Sequence, residues 1–213
     1  MKIIFCIPGK NFSNHFLLSW TKLIKYIESK KIEWEMACVY TPIVYKVREK
    51  CVSYAFKQDY DYIMWIDSDM VFKPSDFEKL LNHNKDIVSG LYMKKNSSDI
   101  YDIPTSSVAT GMDGKILNVF QNYQQNLVKV FANGMGWMLV KKGVFESIKK
   151  PFCPSDLHEI SEPFQKYLFH NGERRLLGED YTFQLKALEQ GYDSYVDTSL
   201  VVGHEKSFIL GKK

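Results

Sequence analysis

Apolar residues in this chain gather into short runs, and the stretches between them repeat apolar positions at helical spacing. Residues 2–8 are almost wholly apolar and stop at Pro8-Gly9, which predicts a buried strand followed by a sharp turn. Phe16, Leu17, Trp20, Leu23, Ile24 and Ile27 then recur with helical period behind a cap at Ser13 or Asn14. Residues 34–40 read as a second strand that leaves through Thr41-Pro42, and 43–58 read as a second helix. A third strand is predicted at 61–66, a helix over 75–83 opened by Pro74-Ser75, and a fourth strand over 86–92. Strands and helices in this alternation predict an α/β fold with a doubly wound, parallel sheet. Ligands of such sheets bind beyond the carboxyl ends of the strands. Pro8-Gly9, Thr41 and Asp67-Ser68-Asp69 all fall there.

The pattern changes after residue 93. Residues 93–132 carry shorter strands and no helix, with Gly111-Met112-Asp113-Gly114 as a hairpin turn. Asn133-Gly134-Met135-Gly136-Trp137-Met138-Leu139-Val140 leads through glycines into a strand. Residues 151–175 are irregular and suit a loop facing an acceptor. Gly178-Glu179-Asp180 opens a helix that runs to Gln190 and is closed by Gly191. A strand at 193–197 and the run Val201-Val202-Gly203-His204 follow.

With 213 residues, the chain suits a single α/β domain spanning 1–213, its halves being 1–95 and 96–213. A net charge of +3 gives no global attraction for nucleic acid or anionic membrane, so affinity for an anion must be local. The apolar start is too short for a signal peptide, and nothing approaches the roughly 20 apolar residues of a membrane span. Cys6, Cys38, Cys51 and Cys153 lack zinc-type or paired spacing. They read as reduced structural thiols, Cys6 and Cys38 inside strands, of a cytoplasmic protein.

Thirteen aspartates make about one Asp-x-Asp expected by chance, so position decides. Asp59-Tyr60-Asp61 precedes an apolar run and reads as solvated charge. Asp67-Ser68-Asp69 follows the run Tyr62-Ile63-Met64-Trp65-Ile66, where a buried strand delivers two carboxylates to a sheet edge. Hard divalent cations and phosphate oxygens meet at such edges. The bland alternative is a pair of turn-capping aspartates. For Glu179-Asp180 it is an ordinary acidic first turn favoured by the helix dipole.

Asp67-Ser68-Asp69, Gly134-Met135-Gly136-Trp137, Gly178-Glu179-Asp180-Tyr181 and the late His204 stand in the order seen in GT-A nucleotide-sugar glycosyltransferases. The chain resembles these enzymes over nearly its whole length, especially small family-2-like members. A narrower resemblance is to a glycosyltransferase domain with which a large DNA virus decorates its own capsid protein. The resemblance implies a Rossmann-like, mostly parallel central sheet flanked by helices, with a smaller mixed-strand lobe on the acceptor side. It implies a sugar passed from a nucleotide donor, UDP-linked by family tendency, to a hydroxyl of a glycan or glycoprotein acceptor. The implied metal is Mn²⁺ or Mg²⁺, with Asp69 as principal ligand, Asp67 as second ligand or ribose contact, and His204 as the distal ligand. Asp180 is implied as the general base of an inverting transfer, with Glu179 as the alternative or as the group orienting the acceptor. In a retaining enzyme Asp180 contacts the donor sugar instead. The resemblance implies donor contacts from Ile7, Pro8, Gly9, Thr41, Arg48, Asp67, Ser68, Gly134, Gly136 and Lys206; Arg48 reads equally as a solvated helix arginine, Lys206 as one more surface lysine, and Arg174 and Arg175 more readily as loop charges than as a phosphate clamp. Trp137 is either a sugar platform or core.

Thr41-Pro42 departs from the family, many of whose members carry a base-reading acid there. Two enzyme classes compete. A sugar-phosphate nucleotidyltransferase needs a glycine-rich loop after the first strand, and Pro8-Gly9-Lys10-Asn11-Phe12-Ser13 is poor in glycine. An aspartyl-phosphate phosphatase carries its Asp-x-Asp on the first strand, followed by a threonine where Val71 stands here. A non-catalytic sugar-nucleotide-binding module is the third alternative, and the chain also suits one domain of a longer protein.

Overall fold

The computed structural model describes residues 1–93, 106–119, 121–157, 160–162, 164–170, 173–174 and 176–205. The first half follows the hydrophobic pattern closely. Strand β1 (Lys2–Pro8) buries Ile3 to Ile7, and helix α1 (Asn14–Ser29) is capped by Ser13, whose Oγ accepts the Phe16 N–H at 3.1 Å. Phe16, Leu23 and Ile27 face the core, but Leu17 and its neighbour Leu18 are exposed. The apolar stripe of α1 is therefore narrower than its composition suggests.

Strand β2 (Glu33–Val39), helix α2 (Val44–Ala55), strand β3 (Tyr62–Ile66), the two-residue strand β4 (Met70–Val71), helix α3 (Pro74–Asn82) and strand β5 (Ile87–Leu91) follow. Beyond them come β6 (Ser106–Gly111), β7 (Ile116–Asn118), β8 (Leu127–Ala132), β9 (Trp137–Lys141), the short helix α4 (Val144–Ser147) and a 3-10 turn (Phe164–Leu168). The ribbon β10 (Phe169–His170) and β11 (Glu173–Arg174), helix α5 (Glu179–Glu189), β12 (Ser194–Val201) and β13 (Gly203–His204) complete the chain. The 151–175 stretch thus carries more local structure than its irregular sequence shows.

Nine strands share one sheet in the order β2-β1-β3-β9-β5-β12-β8-β6-β7. β1 pairs in parallel with β2 and β3, and β5 with β12. Strand β9, from the second half, enters antiparallel between β3 and β5, with Met64 opposite Leu139 and Val88 opposite Leu139 on the other side. Pairing signs place β1, β2, β3, β5, β12 and β6 in one direction and β9, β8 and β7 in the other. The mostly parallel sheet holds, but the third and fourth strands of the sequence are not neighbours.

Core side chains cover both faces of the sheet. Ile4, Cys6, Ile63, Trp65, Met138 and Val140 pack with α2 and α5 on one face; Phe5, Met64, Ile66, Val88, Trp137 and Leu139 pack with α1 and α3 on the other. Trp137 is core, not a sugar platform. Edge strand β2 leaves Cys38 exposed, against the buried thiol expected there, while Cys6, Cys51 and Cys153 are buried. The 111–114 turn closes as anticipated: Gly114 N–H donates to Gly111 O at 2.9 Å with Gly114 at φ 83°. No helix among the described residues is long and apolar enough to cross a membrane.

Candidate active site

β3 is buried along its whole length, so Asp67 is the first residue able to meet water at its carboxyl end. The chain then turns tightly, Met70 N–H donating to Asp67 O at 3.1 Å, and continues as β4. Gly9, at the end of β1, lies against this turn: a Cβ there would come within 2.4 Å of Ser68 Cβ and Oγ. Asp67 N–H is tied to Gly136 O at 3.0 Å.

Under this turn sits Arg48, on the buried face of α2 and only 3% exposed. Its Nη2 donates to Asp67 Oδ1 and its Nε to Glu179 Oε1, both at 3.3 Å. The guanidinium also lies over the Trp65 ring, 5.2 Å from its centroid. Burial works against the charge, but Asp67, Glu179 and Asp180 outweigh it and hold the group protonated. One cation thereby joins the Asp-x-Asp turn to the Glu-Asp helix start.

Glu179 and Asp180 form the first turn of α5 behind Gly178, where carboxylates meet the positive end of the helix dipole. Asp180 nevertheless titrates high, pushed up to about 6. Burial is the main cause and the Glu179 charge the second, with Arg48 and the Tyr181 N–H, 2.9 Å from Oδ1, pulling the other way. Such a group is ionised at neutral pH yet readily takes a proton.

The last corner is built by β13, paired antiparallel with β4 so that His204 lies opposite Met70 and Gly203 opposite Val71. A Cβ on Gly203 would sit 3.0 Å from Val71 Cβ, so glycine permits the approach. Glu205 N–H donates to Asp69 O at 2.8 Å. His204 Nδ1 stands 3.0 Å from Met93 O and Nε2 stands 3.1 Å from Asp69 Oδ2. A carbonyl only accepts, so Nδ1 carries hydrogen, and Nε2 faces the Asp69 carboxylate either as a donor or with its lone pair. With its lone pair forward, Nε2 at this distance from Oδ2 has the spacing of two ligands sharing a cation. Adjacent ligands of an octahedral ion with bonds of about 2.1 Å lie about 3 Å apart.

Among the described residues no group of three or more His, Cys, Asp or Glu encloses a common metal position. Asp69 and His204 come together, whereas Asp67 Oδ1 is engaged by Arg48. A corner of two protein groups could hold a hard divalent cation only with further ligands from water or a bound molecule.

No protein-family model matches the chain, and no curated protein matches it in sequence. Solved structures match it throughout. A197 from STIV aligns over 100% of this chain and 98% of its own, with TM-score 0.56 and 17% identity. GalNAc-T7, solved with UDP, GalNAc and Mn²⁺, aligns over 97% of this chain with TM-score 0.55 and 9% identity. The fold is of the GT-A type. S. aureus TarS 1–349, in complex with UDP-GlcNAc, aligns over 97% of this chain with TM-score 0.50 and 10% identity. The chain spans 44% of the GalNAc-T7 chain and 60% of the TarS chain.

Within this GT-A frame the remaining candidates take varied places. Ile7 is sealed in the core at 1% exposure, leaving only its main chain for a ligand, while Pro8 and Gly9 are half-buried at the strand end. Thr41 Oγ1 bonds locally, donating to Ile43 O at 2.9 Å as the chain turns into α2. Gly134 and Gly136 make room for Tyr92: added Cβ atoms would lie 2.0 and 2.9 Å from its Oη, and the Gly136 N–H already donates to that oxygen at 3.1 Å. Arg174 Nη2 donates to Asp156 Oδ2 at 3.0 Å and to Leu157 O at 2.8 Å, which anchors the loop. Lys206 and Arg175 lie outside the described residues.

Tyr92 is the residue the sequence reading missed. It directly follows β5 beside the site, its ring stands edge-on to His204 at 5.3 Å, and burial, together with the Asp67 and Asp180 charges, raises its phenol well above the ordinary range. A hydroxyl-bearing residue just past an apolar strand run was the available signal.

Proposed function

We propose that this protein is a glycosyltransferase that moves a sugar from a UDP-linked donor to a hydroxyl of a glycan or glycoprotein acceptor, with inversion at the sugar carbon. The observation that carries the reading is the convergence of the Asp67 turn and the Glu179-Asp180 helix start on the buried Arg48 of a GT-A fold. The UDP and Mn²⁺ in the GalNAc-T7 structure and the UDP-GlcNAc in the TarS complex support the donor and metal assignment. Asp69 and His204 are the residues to hold Mn²⁺ or Mg²⁺, with Asp67 beside them. When bound, the metal stabilises negative charge gathering on the departing diphosphate. Asp180 takes the proton from the acceptor hydroxyl, and Arg48 keeps Glu179 turned beside it. The buried and free cysteines fit a cytoplasmic setting.

Calorimetric titration of UDP, GDP, CDP and dTDP, each with Mn²⁺ and with chelator, tests the donor and the metal together. The expected result is metal-dependent binding of UDP that disappears in Asp69→Ala and His204→Ala. Absence of binding by every diphosphate under both conditions defeats the proposal. NMR of the anomeric proton in the first-formed product distinguishes inversion from retention.

A further inference from the structure

Gln184 is fully buried on α5, one helical turn after Asp180, among Phe183, Leu185 and Ala187. A carboxamide there needs partners for every polar atom. Its Oε1 accepts the Asn133 N–H at 3.0 Å, while Nε2 donates to Asn133 O and, at 2.9 Å, to Asp180 O. The side chain therefore grips both sides of one peptide unit's neighbourhood in the loop 133–136, as a neighbouring strand would. Asn133 is itself buried and fixed, its Nδ2 donating to Ser89 Oγ at 2.6 Å and to Gly90 O at 3.0 Å.

Three residues on, Gly136 donates its N–H to Tyr92 Oη and accepts from Asp67 N–H. Asp67 binds Arg48, and Arg48 binds Glu179, the first residue of α5. The contacts close a ring: α5, Gln184, the loop 133–136, Asp67, Arg48, and α5 again. The two links are independent, since Arg48 holds the carboxylates while Gln184 holds the main chain of the same helix turn.

We propose that Gln184 is a positioning residue that, through the 133–136 loop and with Tyr92 as its second anchor, sets the place of Asp180 relative to the Asp67 turn. The role rests on the reading of Asp180 as the base. A buried glutamine one turn after Asp180 is the device: it holds the catalytic turn in register without touching the ligand. Displacement of a reacting group by about 1 Å costs on the order of 100-fold in rate, so losing the grip lowers turnover while leaving the metal corner of Asp69 and His204 intact.

The test compares wild type with Gln184→Met, which keeps the volume, and with Tyr92→Phe, which removes the hydroxyl that accepts the Gly136 N–H. Two readouts are taken: amide hydrogen exchange across 133–136, and the separation of kcat from KM for UDP-sugar turnover with Mn²⁺. Faster exchange in the loop, kcat lower by at least about tenfold and UDP–Mn²⁺ affinity within about threefold of wild type are expected. Unchanged exchange in both variants overturns the coupling, whatever reaction the site performs. Faster exchange with kcat unchanged, or with UDP affinity lost in parallel, overturns the positioning role. Wild type that binds no diphosphate defeats the glycosyltransferase reading, and the exchange result still judges the ring. Should Gln184→Met not fold, Tyr92→Phe carries both readouts.

Discussion

Replacing Arg48 by methionine isolates what the buried cation does. The aliphatic stem is kept, and the guanidinium is lost together with its place over the Trp65 ring. At 3.3 Å and an effective dielectric of 20, each of its two carboxylate contacts is worth about 5 kcal/mol before desolvation. Desolvation of a guanidinium 3% exposed returns several kcal/mol of that. Removing one partner of a buried pair typically costs about 3–5 kcal/mol, because the other charge stays behind. Asp67 and Glu179 retain 31% and 16% exposure and keep some hydration, so the lower end, about 3 kcal/mol, is expected at pH 7. For a domain of this size that lowers Tm by about 6–12 °C. The sign with pH follows from the carboxylates left behind. Without Arg48 the Asp180 carboxyl, which the guanidinium pulls down, takes its proton more readily still, so this part of the penalty is full at neutral pH and fades as pH falls through about 6. Urea denaturation at pH 7 and pH 5 measures both numbers. A loss below about 1 kcal/mol at pH 7, or an equal loss at both pH values, refutes the assignment of Arg48 as the cation that offsets this acidic cluster.

Burial beside Glu179 pushes the Asp180 carboxyl up to about 6 from its ordinary 3.8, so its protonated form is favoured by folding. Its contribution is complete below about 4 and is lost as pH rises through about 6, an amount of roughly 3 kcal/mol. Asp180→Asn should therefore be more stable than wild type at pH 7 and flatten the stability profile between pH 4 and 6.5; an unaltered profile rules this out. In wild type, kcat for sugar transfer should fall on the acid side with an apparent pKa near 6, and that limb should move upward in Arg48→Lys if the looser ammonium lowers Asp180 less. Gly134→Ala places a methyl 2.0 Å from Tyr92 Oη and should cost about 1–3 kcal/mol. Adding Tyr92→Phe should restore part of that in thermal melts, and failure to restore any would show that the clash lies elsewhere. His83→Ala removes the 2.8 Å partner of the nearly buried Asp197, so a loss of roughly 1–3 kcal/mol is expected without any change in UDP affinity, read by denaturation and calorimetry.

What the sequence displays and what it conceals have different physical causes. β1, β3 and β5 announce themselves because a strand buried on both faces must be apolar throughout. The same logic exposes Asp67, Asp69 and His204, polar groups standing where apolar runs stop. Periodicity records which side chains are buried but not which strand lies alongside, so the insertion of β9 between β3 and β5 left no mark in the pattern. Two-residue strands such as β4 and β13 are too short for any period, although their pairing is what sets His204 beside Asp69. Edge position, invisible locally, is also why Cys38 is exposed while Cys6 is not. Arg48 was legible as a site residue only through resemblance, since its partners lie 19 and 131 positions away. Gln184 and Asn133 were not legible at all, because their partners are largely main-chain atoms, which carry no side-chain code. The ligand-facing part of this site is thus written as charge at the ends of buried strands. Its supporting part is written as isolated polar residues on apolar faces, and each of those implies a buried partner that only the fold can name.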